Sequence, residues 1–303
     1  MSHRVSLVLP IILGVAALGI TSINGQTSQS GTPPDNPIHW EKGPFTAKLG
    51  DNAEIDIPKE FLFADGTGAR KYMELSQNPV SGSEVGLIAP KSEHESWFIL
   101  FEFDGVGYVK DDDKASLDSG AILQSIKKAT EDSNEVRRKK NWPAFHVNSW
   151  HTAPFYDSVT QNLTWAINGS EDNGVHPAIN YSVRILGRRG TMNVDLVGDP
   201  QDLASAEPRL KTILEGFRFT GGNRYADFAE GDKLAGYGLT ALIAGGATAV
   251  AIKTGLFAKL WKFLVIIVVA IVGYLKKLWR KTKTVVSGER DPSEEFPTST
   301  PKE

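Results

Sequence analysis

His146, His151 and Asp157 fall within twelve residues of one another, in the run FHVNSWHTAPFYD. An imidazole beside a carboxylate can move a proton, and two imidazoles with a carboxylate can hold a divalent metal. The spacing matches no zinc signature of the H-E-x-x-H kind. On an unbroken strand the two histidines, separated by an odd number of residues, point to opposite faces unless a turn intervenes. Phe145, Trp150, Phe155 and Tyr156 share the run, so packing and turn roles compete with catalysis for these positions. Ser149 lacks the G-x-S-x-G elbow of a serine hydrolase.

Asp111, Asp112 and Asp113, with Asp118 close behind, form the densest acidic cluster. Calcium takes several oxygens from a flexible loop, which makes Asp111 and Asp113 the candidate metal ligands. The EF-hand spacing is absent, and a solvated loop ahead of a helix is the competing reading. Arg184, Arg188 and Arg189 lie among glycines 187 and 190. They suit an anion, or the glycines simply frame a hairpin turn between two strands. No Gly-rich phosphate loop occurs in the polar part of the chain. The chain contains no cysteine, which removes disulfides, thiolate nucleophiles and Cys-based metal sites. No cofactor is implied. Asn162-Leu-Thr, Asn168-Gly-Ser and Asn180-Tyr-Ser are glycosylation sequons that matter only in an exported, glycosylated chain.

The elements that must position these residues begin near Ile38. Short strands are expected at 47–49, 53–57, 84–89 and 97–103, the last (WFILFEF) apolar enough to be central in a sheet. Residues 106–110 can extend it. A helix is expected over Ser119–Lys140, capped by Ser119, with Ile122, Ile126 and Ala129 as its apolar stripe and Arg137–Lys140 at the negative end of its dipole. Strands follow at 145–150, 163–168, 179–186 and 191–197, then a helix over Gln201–Glu215 stopped by Gly216, and a last edge strand at 217–220. This pattern predicts an α+β domain with a mostly antiparallel sheet and two main helices. Five tryptophans, at 40, 97, 142, 150 and 165, offer core anchors, and any exposed one a partner contact.

Address labels flank the domain. Val5–Ile20 is apolar behind the weakly basic Met1–Arg4, so residues 1–25 form a signal peptide or an N-terminal anchor. Residues 26–37 are a Ser/Thr/Gly/Pro linker and 38–232 the domain. From Leu234 to Gly288 there is no Asp or Glu. The segment 233–283 holds two apolar runs. The first, Leu234–Ile252, is rich in Gly and Ala, with Gly245 and Gly246 permitting close helix packing. The second, Leu256–Leu275, includes Phe263, Ile266, Val269, Ile271 and Leu275. Each is long enough to cross a ~30 Å hydrocarbon core. Lys276, Lys277, Arg280 and Lys281 then suit the cytoplasmic headgroups. Two spans would return that basic tail to the exported side, whereas one span satisfies both rules. Residues 284–303 are expected to be a disordered tail.

Charge separates the parts. Residues 26–232 hold 21 Lys and Arg against 31 Asp and Glu, an excess of ten negative charges, while 233–288 hold nine cations and no acid. The domain is a poor nucleic-acid binder, and the lipid bilayer is the natural partner of the basic segment.

Several phrases together are familiar: LGDNAEIDIPKEF, GYVKDDD, WHTAPFYD, INYSVRILGRRG, YADFAEGDKLAGYGL and ALIAGGATAVAIKTGL. From about Trp40 to Leu278 the chain resembles a bacterial family of predicted membrane-anchored proteins, domain of unknown function 2167. The resemblance implies an exported domain with C-terminal membrane helices, and it brings no activity or catalytic residue. IDIPKEF and the late strand, helix and FRF ending are also similar to Mog1/PsbP-like α/β/α sandwiches, a likeness of fold alone. These features together point to an inner-membrane protein whose domain faces the periplasm. It would serve as a binding or assembly module for another envelope protein or itself. An envelope enzyme built on the His/Asp set and a transport-complex subunit are the alternatives.

Overall fold

The computed structural model describes residues 38–92, 94–172 and 177–244. Its first elements are β1 (Glu41–Lys42), β2 (Phe45–Leu49), β3 (Ala53–Ile57), β4 (Phe61–Asp65) and helix α1 (Gly66–Leu75). Strands β5 (Glu84–Pro90) and β6 (Phe98–Asp104) lead to α2 (Ser119–Lys139). Next come β7 (Phe145–Asp157), β8 (Asn162–Glu171), β9 (Pro177–Leu186) and β10 (Thr191–Gly198). The described chain ends with α3 (Leu203–Glu215), β11 (Phe217–Phe219) and the short α4 (Leu239–Ala244).

The strands form an eight-stranded antiparallel sheet, ordered β1-β4-β5-β6-β10-β9-β8-β7, and a three-stranded one, β11-β3-β2. As expected, the WFILFEF strand is central, between β5 and β10. One face of the large sheet packs on the small sheet and α3. Phe101, Val183, Met192, Val194 and Leu196 meet Leu49, Ile55, Ile57, Leu210 and Ile213 there. On the other face, α1 sets Ala69 and Met73 against Leu87, Phe98 and Leu100. At the far end of that face α2 sets Ile122 and Ile126 against Phe145, Leu163, Trp165 and Ile167. Period-two alternation feeds both cores from the same strands. Trp97 and Trp165 are buried, and Trp40, Trp142 and Trp150 half-buried.

Four local expectations change. Helix α1 is additional to the two helices expected; its apolar stripe is narrow and it starts on Gly66 and Gly68. They are glycines because of close approach: a Cβ on Gly66 would lie 2.4 Å from the Glu84 carbonyl oxygen. Asp65 caps this helix by accepting from the Gly68 N–H at 2.8 Å. Helix α2 is capped by Asp118, not Ser119, and its buried stripe runs Ile122, Ile126, Thr130, Asn134, Arg137 rather than through Ala129. Strand β7 continues past Trp150 to Asp157 through three register shifts. Residues 106–110 add only an isolated bridge, Tyr108 to Leu234.

That bridge also corrects the apolar helix expected from Leu234. Leu234 is 46% exposed outside any helix. Helix begins at Leu239, and Leu239 and Ile243 are buried with α2 and β7. Among the described residues no helix is long and apolar enough to cross a membrane. Gly245, Gly246, Phe263, Ile266, Val269, Ile271, Leu275, Lys276, Lys277, Arg280 and Lys281 lie outside the described residues, as do the N-terminal segment and the tail.

Candidate functional site

The structure does not assemble His146, His151 and Asp157. His146 leaves its neighbours for two other carboxylates: Nδ1 lies 2.8 Å from Glu131 on α2 and Nε2 3.0 Å from Asp172 after β8. Those bonds, Asp172 first and Glu131 second, raise its pKa, with burial opposing. His151 is exposed and bonds the adjacent Thr152 hydroxyl at 3.1 Å. Asp157 closes its own turn, accepting from the Val159 N–H at 2.8 Å and the Thr160 hydroxyl at 3.0 Å. Those bonds hold its pKa below the usual range.

Asp157 does reach a groove. A cleft of about 570 Å³ opens between α3 and the β7–β9 end of the sheet, with Phe155, Tyr181, Val183, Leu210 and Leu214 as its apolar wall. Its charged groups are Asp157, Glu207, Lys211 and Glu215, three acids to one base. Burial, with Glu207 alongside, pushes the Tyr181 phenol up to about 12, so it stays a neutral donor. A second recess of about 440 Å³ shares Thr160, Asn162 and Leu214 with the first. The buried Asn162 side-chain oxygen has no hydrogen-bond partner.

Asp111 and Asp113 do not converge as metal ligands. Asp111 pairs with Lys114 at 2.9 Å. Asp113 accepts from the backbone N–H groups of Leu239 and Thr240, at 2.9 and 3.1 Å, and so caps α4. Among the described residues no group of three His, Asp or Glu could hold a metal ion. Gly187 and Gly190 frame the β9–β10 hairpin, with Gly187 N–H donating to the Gly190 carbonyl at 2.8 Å. A Cβ on Gly190 would sit 2.0 Å from the Asp104 carbonyl oxygen. The three arginines part company: Arg184 pairs with Asp195 at 3.1 Å, Arg188 forks onto Asp232, and Arg189 is exposed.

The opposite face of the sheet holds a polar row between the α1 and α2 cores. The strand register aligns Glu84, Glu102, Asn193 and Arg184 across β5, β6, β10 and β9. All four are buried, with Asp195 and Asp104 beside them. Arg184 also lies over the Trp165 ring, 4.8 Å from its centroid. Burial, with Asp195 and Glu84 adding repulsion, lifts the Glu102 pKa to about 7 against the pull of the Ser81 hydrogen bond. Burial raises Asp104 as well. Sequence reading missed this row. Its signal was a carboxylate, Glu102, inside a run otherwise apolar enough to be buried on both faces.

The profile of a family described as "Protein of unknown function (DUF2167)" matches residues 41–276. The chain belongs to that family. No protein of curated function matches this DUF2167 chain. Among solved structures, cyanobacterial PsbP (CyanoP) from Synechocystis sp. PCC 6803 is similar at 10% identity and a TM-score of 0.34, covering 64% of this chain and 98% of its own. The Ran-binding protein Mog1p of Saccharomyces cerevisiae is similar at 12% identity and a TM-score of 0.31, covering 62% and 100%. At these scores the likenesses carry no functional meaning for the DUF2167 chain.

Proposed function

We propose that the chain is a bilayer-held domain of the bacterial envelope that recognises a partner protein rather than transforming a substrate. The observation that carries this reading is the groove beside α3. It combines an apolar wall, an acid-rich rim and an unpartnered buried acceptor at Asn162. The occupant that fits is an extended segment of another envelope protein bearing Lys or Arg among apolar residues. Its cations meet Asp157, Glu215 and Glu207, the last already paired with Lys211 at 2.8 Å, and its side chains meet Phe155 and Leu214.

Helix α4 supports a membrane arrangement with a single crossing. Leu239 and Ile243 are buried in the domain's core, which draws on the first apolar run. Only residues 245–252 remain of it, about 12 Å as helix, far short of a ~30 Å core. Leu256–Leu275 gives about 30 Å by the same rise and serves as the single crossing. One crossing leaves the domain exported by its N-terminal signal and the basic tail inside.

Two measurements test this. Reporter fusions after Asp232 and after Lys283 should report outside and inside respectively, and a cytoplasmic signal at Asp232 overturns export. For the groove, decapeptides alternating Leu with Lys or with Glu are titrated against the full chain in zwitterionic nanodiscs, with empty discs as control. The Lys peptide should bind saturably and lose at least tenfold in affinity with Glu207→Lys plus Leu214→Asp. Equal binding of both peptides, or indifference to the substitutions, overturns the reading.

A further inference from the structure

We propose that the end of the sheet carrying Arg188, Arg189 and Lys233 rests on the bilayer and binds the phosphate of an anionic phospholipid headgroup. This rests on the membrane reading above and names the surface that would face the lipid.

A recess of about 290 Å³ is lined by Gly105, Gly107, Arg188, Arg189, Asp232 and Lys233. Asp232 is its one acid, and Arg188 neutralises it: Nε and NH2 donate to the two carboxylate oxygens at 2.7 and 2.9 Å. Arg189 and Lys233 add two further positive charges, beside a domain whose residues 26–232 carry a net ten negative charges with Arg189 included. Guanidinium forks and ammonium groups are the usual partners of a phosphate diester. The walls are fixed by backbone. Gly107 has φ +102°, and a Cβ there would lie 2.5 Å from the Lys233 carbonyl oxygen. Tyr108 N–H donates to that same carbonyl at 2.8 Å, and Ala235 N–H to the Tyr108 carbonyl at 2.8 Å.

Apolar groups flank the recess. Phe228 and Leu234 are 39% and 46% exposed. Tyr108 holds them in place: it bridges Leu234 through the backbone, and its ring lies 4.2 Å from that of Phe228 and 4.4 Å from that of Tyr225, centroid to centroid. Aromatic and aliphatic side chains beside Lys and Arg are the composition of a membrane–water interface. Position in the chain selects lipid as the occupant, because Leu234 opens the stretch without Asp or Glu that leads to the proposed crossing.

The absence of cysteine makes the test clean. Ala229→Cys gives one attachment site for an environment-sensitive fluorophore next to Phe228. The labelled full chain is placed in nanodiscs of phosphatidylcholine alone or with phosphatidylglycerol. Emission should shift to the blue and rise several-fold in the anionic discs only. Arg189→Glu with Lys233→Glu should abolish that rise while the unfolding midpoint stays in place. A rise of the same size in both discs, or none in a chain that has entered both, overturns the headgroup site and leaves the membrane reading standing. Loss of the signal on adding millimolar inorganic phosphate at constant ionic strength would show a free-phosphate site and overturn the lipid assignment. Failure of the chain to enter discs at all removes the membrane reading itself.

Discussion

Glu84 and Glu102 stand directly opposite each other on neighbouring strands, and both touch the Ser81 hydroxyl, at 3.1 and 2.5 Å. A hydroxyl has one hydrogen to give and cannot satisfy two carboxylates at once. Glu84 receives two backbone donors besides, Ser81 N–H at 2.6 Å and Gly82 N–H at 2.9 Å. Glu102 is met by hydroxyls alone, from Ser81 and Ser83. A hydroxyl can turn its oxygen toward a protonated acid, whereas a backbone N–H cannot. Glu102 is therefore the member that carries a proton near neutrality, and like charges opposite each other are thereby avoided.

This arrangement makes the fold sensitive to pH. The Glu102 pKa rises from 4.5 to about 7 on folding, chiefly by burial, so between those values the folded chain binds more protons than the unfolded one. Stability from this group is fully present below 4.5 and is lost as pH rises through 7, a change on the order of 3 kcal/mol. Glu102→Gln keeps the shape and cannot ionise. Its urea midpoint should stand closest to that of wild type at pH 4, below the unfolded value of 4.5, and exceed it at pH 8. His146, raised by Asp172 and Glu131, moves stability in the same direction, so the comparison is variant against parent at each pH. Identical pH slopes for the two chains would show that folding leaves the Glu102 pKa unshifted.

Arg137 supplies a second prediction. It is 1% exposed, the buried member of the basic group at the negative end of the α2 dipole. Its guanidinium donates to Asn78 Oδ1 at 2.7 Å and to the Pro143 carbonyl at 3.1 Å, joining the end of α2 to the loop after α1. Arg137→Met keeps the packing and removes the donors, and should cost about 2 kcal/mol by denaturant unfolding. Arg137→Ala removes packing as well and should cost about 4 kcal/mol. A methionine variant as stable as the parent would mean that these bonds contribute nothing net.

What was legible in the sequence was what periodicity encodes. The strands over 53–57, 84–90, 98–104, 179–186 and 191–197 alternate, or are apolar throughout, because neighbours in the sheet bury them on one or both faces. Helix α1 escaped because Gly66 answers to the Glu84 backbone, a contact across sequence that no local pattern shows. The partners of His146 were hidden for the same reason. Glu131 and Asp172 lie 15 and 26 residues away in the chain. The Glu84–Glu102–Asn193–Arg184 row exists only through register among four strands, and only the intruding charge of Glu102 hinted at it.

Asp113 carries the last prediction. Its carboxylate accepts from Leu239 N–H, Thr240 N–H and the Thr240 hydroxyl, the last at 2.8 Å, so a loop 126 residues earlier in the chain caps the start of α4. A cap of this kind stabilises its helix by about 1 kcal/mol. The effect should be local, because α4 attaches to the domain mainly through Leu239 and Ile243. Asp113→Ala should speed amide hydrogen exchange in residues 241–244 about fivefold, with the core strands unchanged. Asp111→Ala breaks only the pair with Lys114 and should leave α4 protected. Equal effects from the two substitutions would mean that the acidic cluster acts through its charge and not through the cap. An unchanged α4 in Asp113→Ala would mean that packing on α2 alone holds the helix, and that the start of the apolar stretch needs no anchor from the loop.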